Sequence, residues 1–293
     1  MGKLAFVFPG QGSQYIGMGQ DFYNNFAVAK EIFEITNKTL GFNLADIIFN
    51  GTEEELKQTE ITQPAIYTIS YIIFEILKQR GIKPDFLAGH SLGEYVALTA
   101  SGMLTFENGI KIVKKRAEFI KSACEANIGG MIAIIGMKPD KIQDKIKDFD
   151  NVEIANYNSP LQTVLSYQGE NPAAIMEVIA AKRMIPLNVS GPFHSSYMDS
   201  ASIEIEKEIE KYRIKKAKIP VIFNYTGKVN GDIKSNITNQ VKASVKWVEI
   251  IELMVKNGVN KIIEVGPGKV LTGLNKKIDK SLNVLNIGKV EEL

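Results

Sequence analysis

The chain has 293 residues, of which 45% are hydrophobic and 23% are charged, proportions that are ordinary for a globular protein. The 35 Lys and Arg side chains nearly balance the 33 Asp and Glu side chains, which argues against a nucleic-acid-binding protein, since such domains are clearly basic. No segment reaches the roughly 18 apolar residues of a membrane span, the N-terminal apolar run is too short for a signal peptide, and the single cysteine excludes a disulfide or multi-cysteine metal site. We therefore expect a cytoplasmic protein that binds neither membranes nor nucleic acid.

Short apolar segments alternate along the chain with segments of helical periodicity. The predicted strands lie at Lys3–Phe8, Phe86–Gly89 and Ile262–Val265, and the predicted helices between them include Gln63–Gln79 and Gly109–Cys124. The first and last of these strands each run into a glycine-rich turn. This alternation predicts an α/β fold with a mainly parallel sheet.

One segment departs from this alternation. Its predicted order is strand, helix, strand, strand, helix, strand, with the elements at Met131–Gly136, Pro139–Phe149, Val152–Asn158, Gln162–Gln168, Pro172–Lys182 and Arg183–Val189. This βαββαβ order is that of a ferredoxin-like unit. We therefore predict two domains, a large α/β domain made of residues 1–128 and 191–293, and a ferredoxin-like domain of residues 129–190 inserted into it.

The sequence Gly89-His90-Ser91-Leu92-Gly93 places a serine between a buried strand and a helix. In this GxSxG pattern the glycines leave room for a tight turn that exposes the hydroxyl above the helix N-terminus, where developing negative charge is stabilised. The alternative is an ordinary glycine-rich turn without a catalytic role. Because a strand precedes the turn and a helix follows it, we interpret Ser91 as a nucleophile.

A serine nucleophile needs a base, and the chain has two histidines. His90 is adjacent to Ser91, and neighbouring side chains point in different directions at such a turn, so we predict that His194 is the base. The alternative is that His194 is a structural histidine. Asp199 could complete a triad or could simply favour a helix N-terminus, and a backbone or amide carbonyl could orient the imidazole instead.

The predicted helix Gly109–Cys124 has an arginine on its apolar face. Arg116 lies four residues after Ile112 and four before Ile120. A buried guanidinium is unfavourable unless it meets an anion, and its planar fork suits bidentate carboxylate binding. A salt bridge to a buried acid explains this position equally well. With the serine and the histidine, Arg116 predicts transfer of an acyl group that bears a carboxylate.

Six motifs then occur along the chain in order. They are Gly10-Gln11-Gly12-Ser13-Gln14, Gly89-His90-Ser91-Leu92-Gly93-Glu94-Tyr95, Arg116, Asn156-Tyr157-Asn158-Ser159-Pro160, Gly191-Pro192-Phe193-His194-Ser195 and Glu264-Val265-Gly266-Pro267-Gly268. With these motifs the chain resembles the malonyl-CoA:acyl carrier protein transacylases of bacterial type II fatty acid synthesis, over about residues 3–278. The resemblance implies an α/β-hydrolase-like large domain with a parallel sheet, which carries the ferredoxin-like insert.

The resemblance also implies roles for individual residues. Ser91 would be the malonylated nucleophile, His194 its base, and Arg116 the group that binds the malonyl carboxylate. Gln11 and the backbone amide of Leu92 would form the oxyanion hole. The implied reaction is ping-pong transfer from malonyl-CoA to the phosphopantetheine thiol of acyl carrier protein, without a metal or cofactor. We expect the enzyme to be a monomer.

Four further positions are interpreted from the same resemblance. Gln240 matches a glutamine whose main-chain carbonyl orients the histidine, and Gln63 matches a residue that often lies near the same pocket. Phe193 resembles the malonyl-selective version of its loop, in which a bulky ring leaves little room for an α-methyl branch. Tyr167 stands where many relatives have glycine, a departure that touches no catalytic position.

Three other functions fit parts of the pattern. The same serine and histidine would serve an esterase or thioesterase with water as acceptor, although an inward-facing arginine suits acyl transfer better. A stand-alone acyltransferase of a polyketide assembly line would have the same motifs. A nucleotide-binding module is disfavoured, because Tyr15 replaces the third glycine of GxGxxG and Gly266-Pro267-Gly268-Lys269 is too short for a phosphate-binding loop.

Overall fold

The computed structural model describes residues 2–229 and 231–293. The strands in these residues are β1 (Lys3–Phe8), β2 (Phe86–Gly89), β3 (Gly129–Ile135), β4 (Val152–Ser159), β5 (Gln162–Gln168), β6 (Arg183–Pro186), β7 (Val259–Val265) and β8 (Asn283–Ile287). The helices are α1 (Gln20–Asn25), α2 (Ala27–Leu40), α3 (Leu44–Asn50), α4 (Glu53–Lys57), α5 (Thr59–Gln79), α6 (Gly93–Ala100), α7 (Phe106–Ala126), α8 (Pro139–Ile146), α9 (Ala173–Ile179), α10 (Asp199–Ile209), α11 (Ile233–Gln240), α12 (Trp247–Lys256) and α13 (Val270–Ile278). They form a mixed α/β fold with a parallel sheet and a second, antiparallel sheet.

The parallel sheet has the strand order β2-β1-β7-β8. Alternate residues of β1 point to opposite faces, as strand geometry requires. Phe6 and Phe8 pack on the side of α5, α6 and α7, whereas Ala5 and Val7 pack with Trp247 on the side of α12 and α13. Because helices cover both faces, the strands are nearly continuous apolar runs, and their carboxyl ends meet at one edge.

The antiparallel sheet has the strand order β4-β5-β3-β6, and its elements follow the predicted βαββαβ order. One face packs against α8 and α9 through Ile142 and Ile175. The other face presents Met131, Ala133 and Val164, and Phe193 packs against this face. This second sheet therefore forms a wall beside the loop that contains His194.

Several predicted boundaries were wrong for identifiable reasons. The helix predicted to begin at Gln63 begins at Thr59 and continues through Pro64, because its apolar face is fully buried and packing outweighs the missing amide donor. The strand predicted to reach Val189 ends at Pro186, and the chain then leaves the sheet to line a cavity.

The two longest helices, α5 and α7, have 21 residues each, which is enough to cross a bilayer. Charged or polar side chains interrupt both of them. Across residues 2–229 and 231–293, no helix is both long and apolar enough to span a membrane.

The first glycine of α6 allows this helix to pack directly against the end of β1. A Cβ atom at Gly93 would lie 2.1 Å from the carbonyl oxygen of Phe8. We expect Gly93→Ala to lower the free energy of unfolding by about 1–3 kcal/mol, because the backbone must move to admit the methyl group. Urea unfolding followed by circular dichroism measures this change.

Gly273→Ala is the matched control for that substitution. Gly273 is an exposed residue inside α13, and its added Cβ atom would have no neighbour within 4 Å. Alanine there should raise the stability by about 0.5–1 kcal/mol through helix propensity. Equal effects of the two substitutions would contradict the proposed close approach of α6 to β1.

Candidate active site

Ser91 lies at the turn between β2 and α6, at the carboxyl edge of the parallel sheet. Its φ is 50°, in the left-handed region that non-glycine residues rarely adopt. A Cβ atom at Gly89 would lie 1.9 Å from the backbone of Gly93, so only glycine permits a turn of this tightness. The local sequence therefore forces the serine into strained geometry, and tertiary contacts must hold it there.

The structure brings Ser91 and His194 together, although they are 103 residues apart in the chain. The Oγ atom of Ser91 lies 2.7 Å from Nε2 of His194. The other ring nitrogen, Nδ1, lies 2.9 Å from the carbonyl oxygen of Gln240 and 3.3 Å from that of Ala243. Since carbonyl oxygens only accept, Nδ1 carries the proton and Nε2 is free to accept the serine proton.

The environment of His194 keeps its ring neutral. Burial, the positive charge of Arg116 and the nearby His90 lower its pKa to about 3, while the two carbonyl acceptors act in the opposite direction. The imidazole is therefore unprotonated at neutral pH, which is the state that a general base needs.

Arg116 is 2% exposed and lies beside the serine. Its Nη1 donates to Oε1 of Gln63 at 2.7 Å, and its Nη2 donates to Oε1 of Gln240 at 3.1 Å and to Oγ of Ser91 at 3.2 Å. The ion pairs of the described residues include no carboxylate on Arg116, so the alternative of an internal salt bridge is not found. The guanidinium is held by neutral amides and keeps its charge available to an incoming anion.

A cavity of about 420 Å³ opens onto these groups. Its lining residues come from the antiparallel sheet, from helices α5, α7 and α13, and from loops that include those at the edge of the parallel sheet. Among them are Gln11, Gln63, Ser91, Leu92, Arg116, Phe193 and His194. In the described part of the chain, the backbone amides of Gln11 and Leu92 donate to no other protein group. Both residues line the cavity, and amide donors without a protein acceptor are what an oxyanion hole requires.

Of the remaining candidate residues, Gln240 contacts both His194 and Ser91, whereas Asp199 pairs with a lysine. Gln240 presents its main-chain carbonyl to His194, while its side-chain Nε2 donates to the carbonyl oxygen of Ser91 at 2.7 Å. Asp199 lies away from the histidine, paired with Lys242 at 2.9 Å. Backbone carbonyls therefore take the orienting position that an acid occupies in a triad.

Sequence reasoning missed three polar residues at the site. Asn224 contacts the backbone of Ser91, Glu94 contacts the backbone of Asn224, and Asn158 contacts Nε2 of His90 at 2.8 Å. Glu94 and Asn158 lie within two of the six sequence motifs, and this position is the sequence feature that could have identified them. Asn224 follows a short apolar segment, and no feature of the neighbouring sequence indicates that it contacts Ser91.

Two of these groups have shifted protonation equilibria. Burial raises the pKa of Glu94 to about 8, against the opposing effects of its hydrogen bond from Asn224 and the charge of Arg116. Burial lowers the pKa of His90.

As far as the described residues go, no group of three or more His, Cys, Asp or Glu side chains could hold a metal ion.

Comparison with known proteins identifies the family of this site. A family model described as an acyl transferase domain matches residues 5–283. The chain belongs to the acyl transferase family. A malonyl CoA-acyl carrier protein transacylase of Bacillus subtilis is 42% identical over 303 residues, which cover 100% of this chain and 96% of the relative. The predicted resemblance is therefore confirmed.

Solved structures of other acyl transferases have the same fold. An acyl carrier protein S-malonyltransferase from Vibrio cholerae is 38% identical and superposes with a TM-score of 0.95, covering 99% of this chain and 98% of the other. A malonyl-transacylase solved in complex with its type II PKS acyl carrier protein is 33% identical, with a TM-score of 0.96, covering 99% and 97%. The mixed α/β architecture with two sheets is thus common to the family.

The hydrogen bonds of the two histidines predict opposite tautomers in this acyl transferase. His194 should carry its proton on Nδ1, and His90 should carry its proton on Nε2, which faces the Oδ1 atom of Asn158. The His194 ring should be neutral at pH 5, because its pKa is lowered to about 3. Nitrogen-15 NMR of histidine-labelled protein distinguishes the tautomers, and His194→Asn assigns the signals.

The same shift has a consequence for stability. Because folding lowers the pKa of His194, the unfolded chain binds the proton more tightly. The free energy of unfolding should therefore fall as the pH drops from about 6.5 toward about 3. A ring that becomes charged near pH 6.5 in the folded protein would contradict the assignment of a buried, neutral base.

Proposed function

We propose that this acyl transferase moves a malonyl group from malonyl-CoA to the phosphopantetheine thiol of an acyl carrier protein, as a step of fatty acid synthesis. The observation that carries the proposal is the contact of one serine hydroxyl with both a neutral imidazole and a buried guanidinium, at 2.7 and 3.2 Å. An imidazole activates a serine for acyl transfer, and a guanidinium selects an acyl group that ends in a carboxylate. The relatives named above are malonyl transacylases.

In the first half-reaction His194 takes the proton of Ser91, whose oxygen attacks the thioester carbonyl carbon. The carbonyl oxygen becomes an oxyanion that receives hydrogen bonds from the amides of Gln11 and Leu92. The carbon–sulfur bond then breaks, and His194 returns the proton to the leaving thiolate. Coenzyme A departs and malonyl-Ser91 remains.

The second half-reaction reverses these steps with a different thiol. The phosphopantetheine thiol gives its proton to His194 and attacks the ester carbonyl of malonyl-Ser91. The same oxyanion hole stabilises the tetrahedral intermediate. The carbon–oxygen bond to Ser91 breaks, the serine regains its proton from His194, and the malonyl thioester leaves on the carrier.

The substrate carboxylate has a second effect in this mechanism. The charge of Arg116 is one of the causes that lower the pKa of His194. A malonyl carboxylate paired with the guanidinium neutralises this charge, so the pKa of the imidazole rises toward the range in which it is an effective base. The correct substrate thus activates the base that deprotonates Ser91.

The walls of the cavity add selectivity. Gln63 accepts a hydrogen bond from Nη1 and Gln240 accepts one from Nη2, and these two bonds fix the orientation of the guanidinium plane. Phe193 lies between the cavity and the antiparallel sheet, where its ring disfavours an α-methyl branch on the acyl group. We propose that Arg116 selects the carboxylate and that Phe193 selects malonyl over methylmalonyl.

Several wider properties complete the proposal. The large domain, residues 1–128 and 191–293, is α/β-hydrolase-like, and residues 129–190 form a ferredoxin-like insert, a description that agrees with the antiparallel strand order. The protein acts as a cytoplasmic monomer on malonyl-CoA and acyl carrier protein, with no partner among membranes or nucleic acids. Its own serine, histidine and arginine suffice for both half-reactions, so we propose no cofactor and no metal.

A second pathway is favoured by one comparison. The relative with a TM-score of 0.96 is a malonyl-transacylase bound to a type II PKS acyl carrier protein. The same chemistry would let this chain supply a polyketide carrier. Rates measured with a fatty acid carrier and a polyketide carrier would separate the two pathways.

The malonyl-enzyme provides the direct test of the proposed function. We expect the intact mass of the protein to increase by one malonyl group after mixing with malonyl-CoA, and the adduct to disappear when a carrier protein thiol is added. Ser91→Ala should form no adduct. Steady release of free malonate without an adduct would indicate a thioesterase and would contradict the transfer mechanism.

Arg116→Ala tests the selection of the acyl group. Loss of a charge-assisted pair should lower malonyl transfer by about 100-fold or more, whereas acetyl transfer, which needs no carboxylate partner, should change far less. Arg183→Ala, at an exposed arginine of β6, is the control and should leave both rates unchanged. Equal losses for malonyl and acetyl transfer would mean that Arg116 has only a structural role.

A further inference from the structure

A short segment runs beside β2 and ends opposite the nucleophile. The backbone amide of Leu87 donates to the carbonyl oxygen of Pro220 at 2.9 Å, and the amide of Ile222 donates to the carbonyl oxygen of Leu87 at 2.9 Å. These are the bonds of a parallel ladder. Two residues later, Asn224 lies beside the turn at Ser91 and is completely buried.

The side chain of Asn224 continues this ladder beyond the end of the strand. Its Nδ2 donates to the carbonyl oxygen of Gly89 at 2.7 Å, and its Oδ1 accepts from the backbone amide of Ser91 at 2.7 Å. A carboxamide offers one donor and one acceptor in a plane, as a peptide group does. The side chain of Asn224 therefore forms hydrogen bonds with the two peptide groups on either side of His90.

The backbone of Asn224 is also held at both of its polar atoms. Its amide donates to Oε2 of Glu94 at 2.5 Å, and its carbonyl oxygen accepts from the amide of Lys246 at 3.1 Å. Glu94 belongs to the first turn of α6, the helix that follows the nucleophile. Asn224 thus connects the strand, the turn and the helix that form the elbow.

We propose that Asn224 is a positioning residue for acyl transfer, whose side chain holds the strained Ser91 backbone so that the serine hydroxyl stays in line with His194. The φ of 50° at Ser91 costs free energy that local interactions do not recover. Gln240 holds the serine carbonyl from the other side at 2.7 Å. Both polar atoms of the Ser91 backbone are therefore fixed by side-chain amides.

This assignment rests on the proposed function only in its choice of substrate, so the test uses two reagents. Malonyl-CoA reports the proposed reaction, and a small alkyl fluorophosphonate labels an activated serine whatever its natural acyl group. Intact mass spectrometry gives both rates. If wild-type protein reacts with the fluorophosphonate but not with malonyl-CoA, the proposed function fails, and the fluorophosphonate rates still decide the role of Asn224.

We expect Asn224→Ala to react with both reagents at least about 10-fold more slowly, because a small displacement of a nucleophile is costly. The malonyl-CoA concentration that gives half the maximal rate should change by less than about threefold, since Asn224 does not line the cavity. Asn236→Ala is the control. Asn236 is 2% exposed, and among the described residues its side chain bonds to Thr226 and Asp232 and not to Ser91. Wild-type rates in both variants would overturn the proposal.

Asn224→Asp decides the question if the alanine variant does not fold. A protonated aspartic acid can donate to Gly89 and accept from Ser91, as asparagine does, whereas an aspartate can only accept and also lies beside Glu94. The ratio of the variant rate to the wild-type rate should therefore fall as the pH rises. A ratio that stays at one across the pH range would overturn the proposal, because a merely structural asparagine predicts no such dependence.

Discussion

Arg116 is 2% exposed, and its positively charged guanidinium contacts neutral amides and a hydroxyl. Burial of an ion without a counter-ion is unfavourable, so the folded core must supply the free energy that keeps the guanidinium in place. The unpaired charge sets the properties of the whole site. It lowers the pKa of His194, limits the rise in the pKa of Glu94, and is the charge that we propose binds the substrate carboxylate.

The two sheets place different groups around Arg116. The parallel sheet and its helices position the proposed nucleophile, the guanidinium and the turn amides, with Arg116 on α7 and Ser91 in the turn between β2 and α6. The antiparallel sheet supplies apolar wall residues and packs against Phe193, next to the histidine. The proposed catalytic groups and the apolar wall of the cavity therefore come from different parts of the chain, and the His194 loop joins them.

Backbone strain is concentrated at the two residues that we propose take part in the reaction. Of the non-glycine residues described, three have φ in the left-handed region, and Ser91 and His194 are two of them, at 50° and 57°. Neither conformation is favourable by itself, and each is held by hydrogen bonds from distant segments. Such bonds restrict the two side chains to one arrangement, which reduces the entropy that would be lost on reaching the transition state.

Local patterns in the sequence determined the strands, the glycine-rich turn and the inward-facing arginine, because burial and turn sterics act over a few residues. The strands at Lys3–Phe8 and Phe86–Gly89 have the predicted bounds for this reason. The distances, the pKa of the base and the partners of Arg116 were decided only by the tertiary structure. Asn224 and Gln240 reach Ser91 across 133 and 149 residues, and no local periodicity records such hydrogen bonds.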